Sequence, residues 1–295
     1  MSSDLKMQSS KVLASQVLQS NAKINIGLNI VDKKNNGYHK IESLIQEINL
    51  FDTIEITIFK SNGKTKIISS GISIDCEPHE NTCYKMIELL KKQYKIQHKF
   101  SLKINKKVNI GAGLGGGSSN AASVLKYIDK FFDLKISKQD KNLLCQKIGM
   151  DVPFFIDGGV QYVEGMGEKL TKIDNVFKDC FFVLVFPKIH ISTKWAYSKI
   201  KKELPAKKIK YNLRALSSSI KWSAFGNDFE DIVIPIYPEI RNIKDLFNKS
   251  NAIFSSLSGS GSTIFGVYEN QNLAEKANQL MQDLEYQSVV AKPNI

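Results

Sequence analysis

Residues 109–125 read Asn-Ile-Gly-Ala-Gly-Leu-Gly-Gly-Gly-Ser-Ser-Asn-Ala-Ala-Ser-Val-Leu. Five of the chain's 18 glycines fall between Gly111 and Gly117. Glycine loses more backbone freedom on folding than any other residue, so such a cluster belongs where the chain turns sharply and its N–H groups must be approached closely. The group approaching is most often a phosphate. Beyond the glycines the spacing becomes helical, with Ala121, Leu125, Ile128 and Phe132 forming an apolar stripe at steps of three and four. Ser118 or Ser119 is the expected N-cap. The stretch predicts a glycine loop feeding a helix, whose free N–H groups and positive dipole end face whatever the loop holds.

A Walker A loop requires a Lys before the Ser, and none precedes Ser118 or Ser119. Gly111, Gly113 and Gly116 satisfy the dinucleotide pattern G-x-G-x-x-G, with Asp133 twenty residues beyond Gly113. The preceding Lys-Ile-Asn-Lys-Lys-Val-Asn (103–109) does not read as the buried parallel strand that such a unit needs. A ligand-free flexible turn is the remaining bland alternative. Gly113-Leu-Gly-Gly-Gly-Ser-Ser119 closely resembles the G-L-G-x-x-S-S loop of the GHMP kinases, which act on galactose, homoserine, mevalonate and phosphomevalonate.

At 295 residues the chain has room for about two domains with substantial cores. The longest strongly apolar run, Phe-Phe-Val-Leu-Val-Phe (181–186), is a strand's length and far short of a membrane span. No leader pattern opens the chain, so a cytoplasmic protein is expected. Met1 to Ser20 is polar and Ser/Gln-rich and reads as an N-terminal extension, residues 1–20. Cys76, Cys83, Cys145 and Cys180 form no C-x-x-C pair and read as reduced thiols. Four histidines without ligand spacing argue against a structural metal.

The net charge of +12 raises nucleic-acid binding as a possibility. Of 41 basic residues, however, only Arg214 and Arg241 are arginines, and the lysines are scattered. Base reading and bidentate phosphate contacts favour arginine. The lysines read as a solvated surface whose positive field would favour an anionic substrate; no nucleic-acid or membrane partner is expected, and the expected state is a monomer or homodimer. The lysines of 199–202 and 207–210 form a local basic cluster that reads as a loop.

Periodicity predicts strands at 22–28 and 54–59 with a turn about Gly37, a helix over 82–94, and a strand at 100–104. A helix capped by Ser137 and Asp140 runs through Ile148, with Gly149 as C-cap. Short strands and turns follow over 154–173, then a strand at 181–186 and a helix over 193–202. Helices within 212–250, strands near 252–257 and 263–268, and a last helix over 273–284 complete the chain. The expected boundary lies near residue 180.

Four further segments carry chemistry. On the first strand, Lys23 and Asn25 are two apart and share a face, which is either a solvated edge or one wall of a site. Gly37-Tyr-His39 at a turn is either plain surface or a stacking ring beside a hydrogen-bonding ring. Asp151, just past a helix end, is poorly placed for the negative end of the dipole and calls for a cationic partner such as Lys23. Ser-Ser-Leu-Ser-Gly-Ser-Gly-Ser-Thr (255–263) is either a hairpin turn or a second phosphate-side loop.

In their order and spacing these segments resemble one GHMP branch over about residues 21–268, the kinases acting on the cytidine diphosphate derivative of methylerythritol in the non-mevalonate isoprenoid route. The Asn-Asp-Phe-Glu at 227–230 resembles that branch's N-D-x-E segment. The resemblance implies an α+β, two-domain GHMP kinase fold, with an N-terminal ATP-binding domain (21–180) like ribosomal S5 domain 2 and a ferredoxin-like C-terminal domain (181–295). The active site would lie in the cleft between them. The reaction implied is ATP-dependent, Mg²⁺-assisted phosphorylation of the substrate's 2-hydroxyl. It assigns Asp151 as base and Lys23 as its orienting cation. The nucleotide contacts implied are Gly111, Gly113, Leu114, Gly115, Gly116, Gly117, Ser118 and Ser119, with Asn81 and Lys106 near adenine. The substrate contacts are Asn25, Tyr38, His39, Asp151, Thr193, Tyr197, Gly259 and Ser260, Tyr38 and Tyr197 stacking on the cytosine. No protein metal ligand is implied. Asn109 departs from the branch, which usually has Pro there. Homoserine- or mevalonate-type kinases and a basic RNA-binding module are the alternatives.

Overall fold

The computed structural model describes residues 11–33, 39–200 and 220–294. Tyr38, the Gly37 turn and residues 201–219, which hold much of the basic cluster, lie outside them.

A six-stranded sheet is built on the long antiparallel pair β1 (Val12–Lys33) and β2 (His39–Phe59). One half of β2 pairs with β4 (Lys99–Lys106), which pairs parallel with β3 (Lys66–Gly71). The other half pairs with β5 (Val160–Gly165) and, through it, β6 (Lys169–Ile173). Residues 12–20 are no extension: Val12 to Ser20 pair with Phe59 to Asp52 as the first half of β1. Their polar composition suits a strand exposed along most of its length.

Against this sheet pack α1 (Thr82–Tyr94), α2 (Gly116–Phe131) and α3 (Lys138–Gln146). Ile54, Ile56 and Ile58 from β2, Phe100 and Leu102 from β4, and Leu125 and Ile128 from α2 share one core. Phe154–Asp157, expected among strands, is a short helix, α4. A short apolar run cannot be assigned by periodicity alone.

The second sheet is antiparallel in the order β10-β7-β9-β8, formed by β7 (Phe181–Phe186), β8 (Phe254–Leu257), β9 (Ile264–Tyr268) and β10 (Gln287–Ala291). Alternate residues of β7 serve two cores. Phe182 and Leu184 join Ala22, Ile24 and Ile26 of β1. Val183 and Val185 face α7 (Pro238–Lys249) and α8 (Gln271–Asp283) through Ile243, Phe247, Ala277 and Met281. Between β7 and α7 lie α5 (Thr193–Ser198) and α6 (Glu230–Val233). Among the described residues no helix is long and apolar enough to cross a membrane.

Cys83, Cys145 and Cys180 are buried, and burial pushes their thiols up to about 12, 12 and 11, whereas Cys76 is exposed. Thiolate is the reactive form, so one thiol of four should react promptly with an aromatic disulfide reagent and the rest only after unfolding. Three fast thiols in the native protein would contradict this packing.

Candidate active site

The glycine loop leaves β4 and opens α2. Gly115, in the left-handed conformation at φ +68°, is the N-cap, and the helix starts at Gly116, not after a serine cap. A left-handed glycine reverses the chain without a side-chain acceptor. The N–H groups of the first turn therefore keep no intrahelical acceptor, and Ser118 and Ser119 lie inside the helix. Gly113 is held more tightly: at φ +79°, a Cβ there would stand 1.9 Å from the Ser258 carbonyl oxygen.

That contact joins the two Ser/Gly loops. Ser258 Oγ donates to the Gly113 carbonyl (2.9 Å) and accepts the Asn25 N–H (3.3 Å). The Thr263 N–H donates to the Ala112 carbonyl (3.3 Å), and the Lys23 N–H to Leu114 (3.0 Å). The second loop is braced in turn by the Asn-Asp-Phe-Glu segment. Asn227 Nδ2 donates to the carbonyls of Leu257 (2.7 Å) and Gly259 (2.8 Å), and Glu230 Oε1 accepts from Ser256 Oγ (2.9 Å) and the Leu257 N–H (2.8 Å).

A cleft of about 470 Å³ opens beside the glycine loop. Lys23 and Asn25 from β1, Gly113 and Ser118 from the loop and α2, and Asp151 from the turn after α3 line it. His39 reaches it from the start of β2, and Thr193, Tyr197, Gly259 and Ser260 from the second half of the chain. Lys23 Nζ stands 3.9 Å from Asp151 Oδ2 and 2.5 Å from Asn25 Oδ1. The lysine side chain is 4% exposed and the aspartate 52%. Lys23 and Asn25 thus form no solvated edge. Burial lowers the Lys23 pKa, and the Asp151 charge works against that shift.

Asp151 follows a helix that ends earlier than the sequence suggests, the C-cap being Lys147 in place of Gly149. His39 and Tyr197 stack with ring centroids 5.0 Å apart at 29°, and Phe229 meets Tyr197 edge-on. Burial, with the Asp151 charge, pushes the Tyr197 hydroxyl up to about 12, so the ring is neutral at physiological pH. Thr193 Oγ1 and Ser260 Oγ lie 3.0 Å apart.

The other expected nucleotide contacts do not line this cleft. Gly111 and Gly117 are exposed, Leu114, Gly116 and Ser119 buried, and Gly115 half-buried. Asn81 caps α1, its side chain accepting the Cys83 N–H (2.9 Å), and Thr82 Oγ1 donates to the Gly117 carbonyl (2.6 Å). The starts of α1 and α2 are thereby tied together. Lys106 is buried in an ion pair with Asp52, and its Nζ would lie 2.7 Å from a Cβ on Gly116.

Asp52, which no sequence motif marks, is fully buried and also accepts the N–H groups of Lys107 and Val108 at 2.8 Å each. It fixes the strand-to-loop junction just before Asn109. In sequence Asp52 is one of four carboxylates along β2, with Glu42, Glu47 and Glu55, and nothing in the pattern singles it out.

A glycine-rich helix N-terminus held by the second Ser/Gly loop, with a Lys–Asp pair in the adjoining cleft, fits the class of small-molecule kinase that the sequence resembles. The GHMP kinases N terminal domain model matches residues 81–159 and the GHMP kinases C terminal model residues 206–283. The chain is 36% identical to the 4-diphosphocytidyl-2-C-methyl-D-erythritol kinase of Parabacteroides distasonis, over 84% of this chain and 90% of the relative. It is 34% identical to that of Acetivibrio thermocellus, over 93% and 98%. The chain belongs to the 4-diphosphocytidyl-2-C-methyl-D-erythritol kinases. In fold it is similar to a crystal structure of 4-(cytidine 5'-diphospho)-2C-methyl-D-erythritol kinase, with a TM-score of 0.78, 23% identity, and coverage of 95% of this chain and 100% of that one. Homoserine kinase from Cytophaga hutchinsonii superposes at 0.74 with 18% identity, covering 99% and 98%.

Proposed function

We propose that this kinase transfers the γ-phosphoryl group of ATP to the 2-hydroxyl of 4-diphosphocytidyl-2-C-methyl-D-erythritol, within non-mevalonate isoprenoid precursor synthesis. The observation that carries the reading is the Lys23–Asp151 pair in a cleft shared with the glycine loop and the His39–Tyr197 ring stack. Asp151 takes the proton of the attacking hydroxyl, whose oxygen bonds to the γ-phosphorus as the bond to the β–γ bridging oxygen breaks and ADP leaves. Lys23 holds the carboxylate and the reacting oxygen in place and offsets developing negative charge. Phosphoryl transfer depends mostly on positioning and charge stabilisation, which suits a buried cation and a rigid loop.

The loop, Gly111 to Gly117 with Ser118 and Ser119, receives the phosphates at the free N–H groups of α2. Asn81 and Lys106, beside the helix starts, are assigned to the adenine side. The cytosine is assigned to Tyr197 with His39 at its polar edge, the Tyr38 contact that the resemblance implies falling outside the described residues, while Asn25, Thr193, Gly259 and Ser260 hold the rest of the substrate. Among the described residues no group of three His, Cys, Asp or Glu is placed to bind a metal. Magnesium would be brought in with ATP near Ser118, which lines the cleft, or Ser119, and would supply neutralisation of the phosphate charge. The ATP-binding half, which takes in residues 12–20 of β1, is assigned as far as residue 180 and the remainder to 181–295, in a cytoplasmic monomer or homodimer.

ATP consumption with the diphosphocytidyl substrate, compared with homoserine and mevalonate, tests the reading. Turnover is expected only with the first, and turnover only with another acceptor would refute it. A second consequence concerns pH. Lys23 must be protonated to act, and burial lowers its pKa from 10.5, so activity should fall as pH rises through a point below that value. An alkaline limb of kcat/KM at or above 10.5 would contradict this.

A further inference from the structure

We infer that Ser43 is a positioning residue for phosphoryl transfer: its hydroxyl locks the Asn25 amide so that the amide oxygen faces the Lys23 ammonium. The inference rests on the proposed kinase reading of the Lys23–Asp151 pair.

Ser43 lies on β2, fully buried, and is not among the residues lining the cleft. Its Oγ is 2.7 Å from the Gly27 carbonyl oxygen and 2.8 Å from the Asn25 side-chain amide. A carbonyl oxygen only accepts, so the single Ser43 proton is committed to Gly27. Toward Asn25 the hydroxyl oxygen is then left only as an acceptor, and the amide must present its NH₂ group. The Asn25 carbonyl oxygen is thereby turned to Lys23, whose ammonium can only donate, at 2.5 Å. Both ends of the chain are fixed in role, one by a backbone carbonyl and the other by a cation, so one hydrogen-bond arrangement satisfies all four groups. The reverse amide orientation would set NH₂ against the ammonium and carbonyl against an oxygen without a proton.

The consequence is electrostatic as well as geometric. Lys23 is nearly buried, and its charged form is held by two partners, the Asp151 carboxylate and the Asn25 carbonyl. The other titratable groups lining the cleft are His39 and Tyr197. Asp151 is half exposed and its attraction is screened, whereas Asn25 is buried. Releasing the amide removes the better-shielded of the two partners, so the ammonium should lose its proton at lower pH.

Three variants test this against the wild-type enzyme in the ATP-coupled assay with the diphosphocytidyl substrate. Ser43→Ala should lower kcat about tenfold, leave KM for ATP within about twofold, and move the alkaline limb to lower pH. Ser43→Thr keeps the hydroxyl and should restore both kcat and the limb. Asn25→Asp sets a carboxylate against the ammonium and should move the limb the opposite way, to higher pH, whatever it does to kcat. A Ser43→Ala enzyme with wild-type kcat and an unmoved limb would overturn the inference while leaving the kinase reading intact. A lowered melting temperature with an unmoved limb would reduce Ser43 to a packing role and also overturn it. Should Ser43→Ala fail to fold, the direction of the Asn25→Asp shift decides, and no shift or an acid shift refutes it. Absence of turnover in the wild-type enzyme would instead refute the reading on which the inference stands.

Discussion

Asp151→Asn should lower kcat by roughly 10²–10⁴, the range spanned by loss of a general base. The amide keeps the shape and polarity of the carboxylate but cannot take a proton. It also removes the negative charge 3.9 Å from Lys23, so a buried cation is left with Asn25 as its polar partner. Stability should hardly move, because Asp151 is half exposed and screened pairs of this kind contribute about 0–1 kcal/mol. KM for ATP should stay near the wild-type value, since the phosphate loop is untouched. Steady-state kinetics beside a thermal melt separates these effects. Near-normal turnover in a folded variant would remove Asp151 from the chemistry and leave positioning as the main catalytic device.

Gly113→Ala should be the most damaging change in the phosphate loop. At φ +79° an L-residue is strained, and the new Cβ would meet the Ser258 carbonyl oxygen at 1.9 Å, backbone against backbone. No rotamer relieves that contact, so one loop must move off the other. Overpacking of this kind costs about 1–3 kcal/mol. A displacement near 1 Å in a positioning element is worth about 10²-fold in rate. A fall of that size in kcat/KM for ATP is therefore expected, together with a lower melting temperature. Gly226→Ala is the control, because a Cβ there meets nothing within 4 Å. Wild-type kinetics for Gly113→Ala would mean that the two loops part freely, contrary to the packing described.

Much of the candidate site was legible because the chemistry proposed for it needs particular residue types close together in sequence. The helix over 82–94 appears with those bounds, since a cap, an apolar stripe and positive charges in its last turn agree. Asp151 stood out through its awkward place beyond a helix end, and Lys23 is indeed the cation beside it. Where reading failed, the deciding partner was remote. Alternation along β1 gave the period of the strand but not what covers its second face, so Lys23 and Asn25 could equally have been wet. Ser43 and Asp52 carry no motif. Their roles appear only when the chain brings Asn25 and Lys106 to them, 18 and 54 residues away in sequence. The N-cap of α2 was misplaced because side-chain preferences point to serine, whereas a left-handed glycine needs no side chain. Residues 12–20 looked like a tail because their pairing partner begins more than thirty residues later.

The hydrogen bond from Ser258 to Gly113 makes the proposed phosphate cradle joint property of both sheets. A fragment ending before β7 would carry every glycine of the 111–117 run and still lack the residue that shapes it. By mass action, a nucleotide that binds only the assembled cradle stabilises the far sheet as well as the near one. Amide protons of β8 and β9 should therefore exchange more slowly when ATP occupies a loop more than 130 residues upstream of them.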